Sequence, residues 1–205
     1  MSLHEKFLTL DYNFGMKRVL LVILFMNLSL VFAAQGELSK QATAFYSDNN
    51  HHKTMDLILQ INERDRTAQD WLLLGNVLAD NGEDDNAAYN YQKAVLTDKK
   101  CYRAYYNLGN YYMKKGLTEE AINNYKKAIN IKADNPYIFY NLGCAYLKKE
   151  DLRNARANFN KALMYKSDIP ECHYNLAYIY QKQGKQKLAE TYMDNYKKLT
   201  EDKVY

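Results

Sequence analysis

Apolar and small residues return along this chain in one fixed order. Trp71, Leu74, Gly75 and Leu78 are followed by Ala87, Tyr91 and Ala94; Tyr105, Leu108, Gly109 and Tyr112 are followed by Ala121, Tyr125 and Ala128. Phe139, Leu142, Gly143 and Tyr146 precede Ala155, Phe159 and Ala162, and a fourth copy runs from His173, Leu176, Ala177 and Tyr180 to Ala189, Met193 and Tyr196. Gly75, Gly109, Gly143 and Ala177 follow one another at equal intervals, which is a repeat period. The i, i+3, i+4, i+7 spacing of each first set places it on one helical face, and each second set makes another such stripe. In the second copy the two are separated by Lys114-Lys115-Gly116-Leu117-Thr118. Gly116 suits a left-handed helix end, and Thr118 is expected to cap the next helix, with Glu119 and Glu120 in its first turn. Each copy therefore predicts a helix hairpin, with Gly109 opposite Ala121 and Ala128 so that the two helices approach closely. A lone hairpin cannot bury its stripe, so the copies must stack.

An aromatic residue, Leu-Gly, Tyr, then a spaced Ala, aromatic and Ala resembles the signature of the tetratricopeptide repeat (TPR) family, and the resemblance covers residues 68–203. It implies an all-α fold, a right-handed α-α solenoid of stacked hairpins, with repeats at 68–101, 102–135, 136–169 and 170–203. Residues 34–67 read as a degenerate N-terminal hairpin. Leu57 and Ile61 stand one full period before Tyr91 and Val95, while Lys53 and Gln60 occupy the places of Ala87 and Ala94. End units of solenoids are atypical because one face meets water. The fourth copy, with His173 for the aromatic and Ala177 for Gly, ends in a strongly charged helix.

Stepping back two residues from the packing set turns about 200° around a helix and reaches the opposite face. That face carries Arg103, Tyr106, Asn107 and Asn110, then Tyr137, Tyr140, Asn141 and Cys144, then Glu171, Tyr174, Asn175 and Tyr178. One turn further on, Lys114, Lys148 and Lys182 line up. In TPR arrays this face lines the concave groove where partner segments bind, and the resemblance implies the same use here. An asparagine offers one acceptor and two donors to the backbone of an extended peptide, tyrosine offers rigid amphipathic area, and the lysine row favours a carboxylate at one rim. The other reading is that each asparagine bonds between neighbouring helices and each tyrosine braces them. Leu72, Leu73 and Asn76 break the Tyr-Asn pattern in the first repeat.

Composition agrees with a helical array. The 205 residues include only two prolines and eight glycines, and Pro136 and Pro170 stand where the first helix of a repeat begins. Twenty tyrosines suit a half-wet groove. A net charge of +4 falls short of the dense basic stripe that nucleic acid calls for. Ahead of the repeats, Met16-Lys17-Arg18 leads into the apolar run Val19 to Phe32 and then Ala33-Ala34-Gln35-Gly36. A basic head, an apolar run and small residues make a secretory signal, cut after Ala33 or secondarily after Ala34. Residues 1–15 do not fit that pattern and read as an extension ahead of a start at Met16. The expected location is the bacterial periplasm or envelope; the alternative is an uncleaved inner-membrane anchor, although a span needs about 20 apolar residues.

Candidate chemistry is sparse. His51-His52 lacks ligand partners at metal spacing, so no metal is expected. Cys101, Cys144 and Cys172 form no Cys-x-x-Cys, and a Cys144–Cys172 disulfide needs a coincidence of geometry. No phosphate-binding glycine loop or Gly-x-Ser-x-Gly is present, so neither catalysis nor a cofactor is expected. The function expected is a non-enzymatic scaffold or adaptor that binds a segment of a partner protein. The alternatives are a self-associating homodimer and a membrane-anchored subunit of an envelope complex.

Overall fold

The computed structural model describes residues 21, 25, 26 and 29–201. The head of the expected leader, Met1 to residue 20, lies outside them. Among the described residues there is no strand, and no helix is long and apolar enough to cross a membrane. The chain divides into two compact units, Met1–Arg66 and Thr67–Tyr205.

The first unit is a hairpin of α1, helical over 29–47, and α2 (His51–Gln60), followed by a 3-10 turn at Glu63–Asp65. Its two helices meet where the Thr54 hydroxyl, which donates to the Asn50 carbonyl at 2.9 Å, also lies 3.4 Å from the Ala42 carbonyl, and where His51 stacks on Tyr46. Ala42, Thr54, Ile58 and Ile61 are its fully buried residues.

The second unit is four hairpins. They pair α3 (Ala68–Asp80) with α4 (Asp84–Thr97), α5 (Tyr102–Lys114) with α6 (Thr118–Ile131), α7 (Pro136–Lys148) with α8 (Leu152–Tyr165), and α9 (Pro170–Lys182) with α10 (Gln186–Glu201). Within this unit α5, α7 and α9 also pack on α4, α6 and α8 respectively, so contact runs along the array rather than into a common centre. The array begins with a capping box: Asp70 N–H donates to the Thr67 hydroxyl, while Thr67 N–H and hydroxyl both donate to the buried Asp70 carboxylate at 2.8 and 2.7 Å.

One hydrogen bond closes all five hairpins. The N–H of Asn50, Glu83, Leu117, Asp151 and Lys185 donates to the carbonyl five residues earlier, at 2.8–2.9 Å. The residue just before each donor has positive φ: Asn49, Gly82, Gly116, Glu150 and Gly184. This is the left-handed helix end of a Schellman motif. The turn also corrects the expected cap. Leu117, not Thr118, is the N-cap of α6, and it makes no side-chain cap bond, because the residue that closes one helix already opens the next.

The turns fix the phase of the first hairpin. Its step to the next is one residue shorter than the later period, since Asn49 answers Gly82, Thr54 answers Ala87, Ile58 answers Tyr91 and Ile61 answers Ala94. The alignment of Leu57 with Tyr91 is therefore one place off. The joint between Ile61 and Ala68 is shorter than the later joints by that same residue, and a shift of one residue moves every side chain about 100° around the helix.

The core explains the spaced glycines. A Cβ on Gly75, Gly109 or Gly143 would stand 2.6–2.7 Å from Cδ1 of Tyr91, Tyr125 or Phe159 respectively. The glycine therefore makes room for the ring between the two alanines rather than for the alanines themselves. At the fourth repeat Met193 replaces the ring, and Ala177 is accommodated.

Candidate functional site

The face two residues behind the packing set is held together by its asparagines. Asn107 Nδ2 donates to Asn76 Oδ1, and Asn141 Nδ2 donates to Asn110 Oδ1, each at 2.9 Å across a repeat boundary. Asn141 Nδ2 also donates to the Tyr106 hydroxyl at 3.0 Å. From below, the Tyr91 hydroxyl donates to Asn76 Oδ1 at 3.1 Å and the Tyr125 hydroxyl to Asn110 Oδ1 at 2.8 Å. The acceptor and the phenol then vanish together. In the third repeat Cys144 stands in the acceptor's place and Phe159 in the phenol's, so no buried hydroxyl is left unpaired there.

This network leaves a definite remainder. Among the described residues no further partner meets Nδ2 of Asn76 and Asn110, or Oδ1 of Asn107 and Asn141. Each inter-repeat pair thus retains an amide donor on one side and a carbonyl acceptor on the other, both half-buried, and the Asn76–Asn107 pair faces open space. A cleft of about 260 Å³ lies there, lined by Leu72, Asn76, Tyr102, Arg103, Tyr106, Asn107 and Asn135. Arg103 is exposed; its Nε donates to the Tyr102 hydroxyl at 3.3 Å and its guanidinium sits 5.8 Å over that ring.

The remaining sequence-chosen residues divide between uses. Tyr140 leans on Phe159 at 6.0 Å, as Tyr106 leans on Tyr125 at 6.2 Å. Burial pushes the Tyr140 phenol up, with the Cys144 thiol as its hydrogen-bond neighbour. Lys114 forms an ion pair with Asp84 of the preceding repeat, Lys148 is exposed, and Lys182 lies 5.6 Å over the exposed Tyr178 ring. Tyr174 is exposed and packs 5.4 Å from Tyr196; Asn175 is half-buried, and its acceptor position holds Cys144.

Beside this face runs an inter-repeat ion-pair row. Lys115 meets Asp85 at 2.6 Å, and Lys149 meets Glu119 one repeat on. The Asp85 carboxyl is held below its usual range by the bond from Lys115 and a second from Tyr111, and Lys115 is correspondingly raised. On the second helices, Lys93, Lys127 and Lys161 sit 5.4–5.7 Å over Trp71, Tyr105 and Phe139. His173 continues the ring series, its Nε2 donating to the Ser167 carbonyl at 3.0 Å, and there Asn195 replaces the lysine.

Residues 109–150 and 145–184 match the family model described as TPR repeat, and residues 170–203 match that described as tetratricopeptide repeat. Residues 109–203 are tetratricopeptide repeats. Such arrays are protein-interaction scaffolds and are generally non-enzymatic. No curated protein matches this TPR chain. Among solved structures, a crystal structure of MamA is 20% identical with a TM-score of 0.71, covering 80% of this chain and 96% of that one. A second crystal structure of MamA protein is 19% identical, with a TM-score of 0.71 over 83% of this chain and 94% of that one. MamA 41-end from Desulfovibrio magneticus RS-1 is 14% identical, with a TM-score of 0.72 over 84% and 98%. At these identities the likeness is one of fold, the right-handed solenoid of hairpins.

Face counting on a TPR helix finds Arg103, Tyr106 and Asn107, which the fold brings to one cleft. It misses Tyr102, whose position falls outside the counted face, and Asn135. The latter precedes α7 and caps it, its Oδ1 accepting from Tyr137 N–H at 3.0 Å, so no helical register points to it. Tyr174 and Tyr178 line a different cleft, between α9 and α10.

Proposed function

We propose that this TPR protein is a non-enzymatic adaptor whose first-helix face binds an extended segment of a partner protein in the cell envelope. The reading rests on the unspent hydrogen-bonding groups of the paired asparagines. A free amide N–H beside a free carbonyl, at the Asn76–Asn107 pair and again at Asn110–Asn141, matches the C=O and N–H of a peptide backbone whatever its side chains. The same asparagines tie the repeats, so the structural and binding readings describe two ends of one side chain. Arg103, which has no carboxylate partner among the described residues, favours an acidic group at that end of the segment. No cofactor and no small-molecule substrate enter this reading.

Export is part of the proposal and rests on the order of basic head, apolar run and small residues from Met16 to Ala34. Intact-mass measurement of the native protein tests it: a mature chain beginning at Ala34 or Gln35 is expected, and a chain retaining Val19 to Phe32 means an anchor.

The binding reading is tested by placing a photo-crosslinking residue at Tyr106 or Tyr140, and at the outward positions Asn123 and Ala157 of α6 and α8 as controls. The expected result is one common adduct from both groove positions and none from the controls. Adducts from the controls alone reject the groove.

A further inference from the structure

We infer that the cleft between α9 and α10 is a socket for an amphipathic helix of a partner protein, distinct from the asparagine-lined cleft and recognised by an apolar stripe ending in a basic residue. A cleft of about 190 Å³ opens between α9 and α10, floored by Ala177, Ala189 and Met193 and rimmed by Tyr178, Gln186 and Glu190. Its identity follows from register. Moved back by one repeat, those positions become Gly143, Ala155, Phe159, Cys144, Leu152 and Arg156. Of these, Ala155 and Phe159 belong to the buried core that receives α9, and Cys144 and Leu152 pack against it. What fills that place in the third repeat is the stripe Cys172, Leu176 and Ile179, all fully buried. The fourth repeat rebuilds the same receptacle, and no described residue fills it.

The rim fixes the polarity of the occupant. Arg156 donates to Gln183 Oε1 at 3.2 Å, the residue that follows α9 and stands eleven places after Cys172. In the fourth repeat the counterpart of Arg156 is Glu190, so the sign is reversed. Glu190 accepts one bond, from Gln186 Nε2 at 3.1 Å, and keeps a second carboxylate oxygen. An incoming helix with apolar residues at i, i+4 and i+7 therefore meets Glu190 with the residue at i+11. A lysine or arginine fits there, at the end of a helix where the carbonyl dipole also favours a cation. None of the chain's own described helices carries this combination on an exposed face: the exposed apolar residues Leu21, Phe25, Leu30 and Phe32 have no basic residue in register after them.

The probe is a labelled synthetic helix copying residues 168–183, the segment that fills the equivalent receptacle, with Gln183→Lys. Binding to the full chain is read by fluorescence anisotropy, with circular dichroism confirming that each protein variant is folded. Binding is expected to weaken about fivefold when the protein carries Glu190→Lys, to return when the peptide instead carries Gln183→Glu, and to be lost with Gln186→Trp, which fills the cleft from its exposed rim. No binding of either peptide, or binding indifferent to both protein variants, overturns the inference. So does light scattering that reports a dimer which Gln186→Trp converts to monomer, since the occupant is then a second copy of this chain.

Discussion

Gly109 lies under the ring of Tyr125 so closely that a Cβ there would stand 2.6 Å from Cδ1. Tyr125 is itself only 1% exposed, so the ring has nowhere to retreat. Gly109→Ala is expected to lower stability by about 1–2 kcal/mol in urea unfolding, the overpacking cost outweighing the gain in helix propensity. Adding Tyr125→Met, which copies the natural Ala177 and Met193 combination, is expected to cost less in the Gly109→Ala background than alone. Strict additivity of the two changes would show that the ring does not dictate the glycine.

Glu150 occupies the left-handed turn that glycine fills at Gly82, Gly116 and Gly184, with φ of 59°. A side chain there costs roughly 1 kcal/mol. Glu150→Gly is expected to raise the urea midpoint, while Gly116→Glu lowers it. An unchanged midpoint in both would mean the turn tolerates either residue.

The Tyr125 hydroxyl and Asn110 form one unit, since Phe159 and Cys144 replace them together one repeat later. Tyr125→Phe alone is expected to cost about 1 kcal/mol, and a few tenths after Asn110→Cys. A double-mutant cycle measures the difference, and a coupling near zero would separate the two residues.

Burial raises the Cys172 thiol to about 12 from an ordinary value near 9. A thiol whose pKa is raised on folding keeps its stabilisation below the unfolded value and loses it as pH climbs between those two limits. Unfolding free energy is therefore expected to fall from about pH 9 upward, and less steeply in Cys172→Ala. Buried Tyr125 and half-buried Tyr140 are displaced in the same direction, so part of the slope remains in the variant. At pH 8, iodoacetamide is expected to modify half-exposed Cys101 well before Cys172; the reverse order would contradict this burial.

The array was legible because its period is written in residues that only packing explains. Gly75, Gly109 and Gly143 mark the helix crossing, and Pro136 and Pro170 mark the helix starts. The first hairpin hides its phase because Thr54 and Ile58 do not look like the Ala and Tyr they replace; that phase is carried by a backbone turn at Asn49, which has no strong sequence mark. The cap of α6 falls at Leu117 and not at Thr118 for a related reason, since a residue chosen by backbone geometry need not be a good capping side chain. On the candidate face, counting from the packing set identified which side chains share a surface. It did not show that Asn107 and Asn141 spend one half of their amides on the neighbouring repeat, which depends on distances no spacing contains.

Polar stitching along the first helices stops at Cys144, and the boundary between the third and fourth repeats is built on Cys172, Leu176 and Ile179 against Phe159. Apolar contact loses strength on chilling, whereas amide pairing does not depend on water in the same way. The fourth hairpin is consequently the cold-labile member of the array, and its amide protons should be the first to exchange as the temperature is lowered toward freezing.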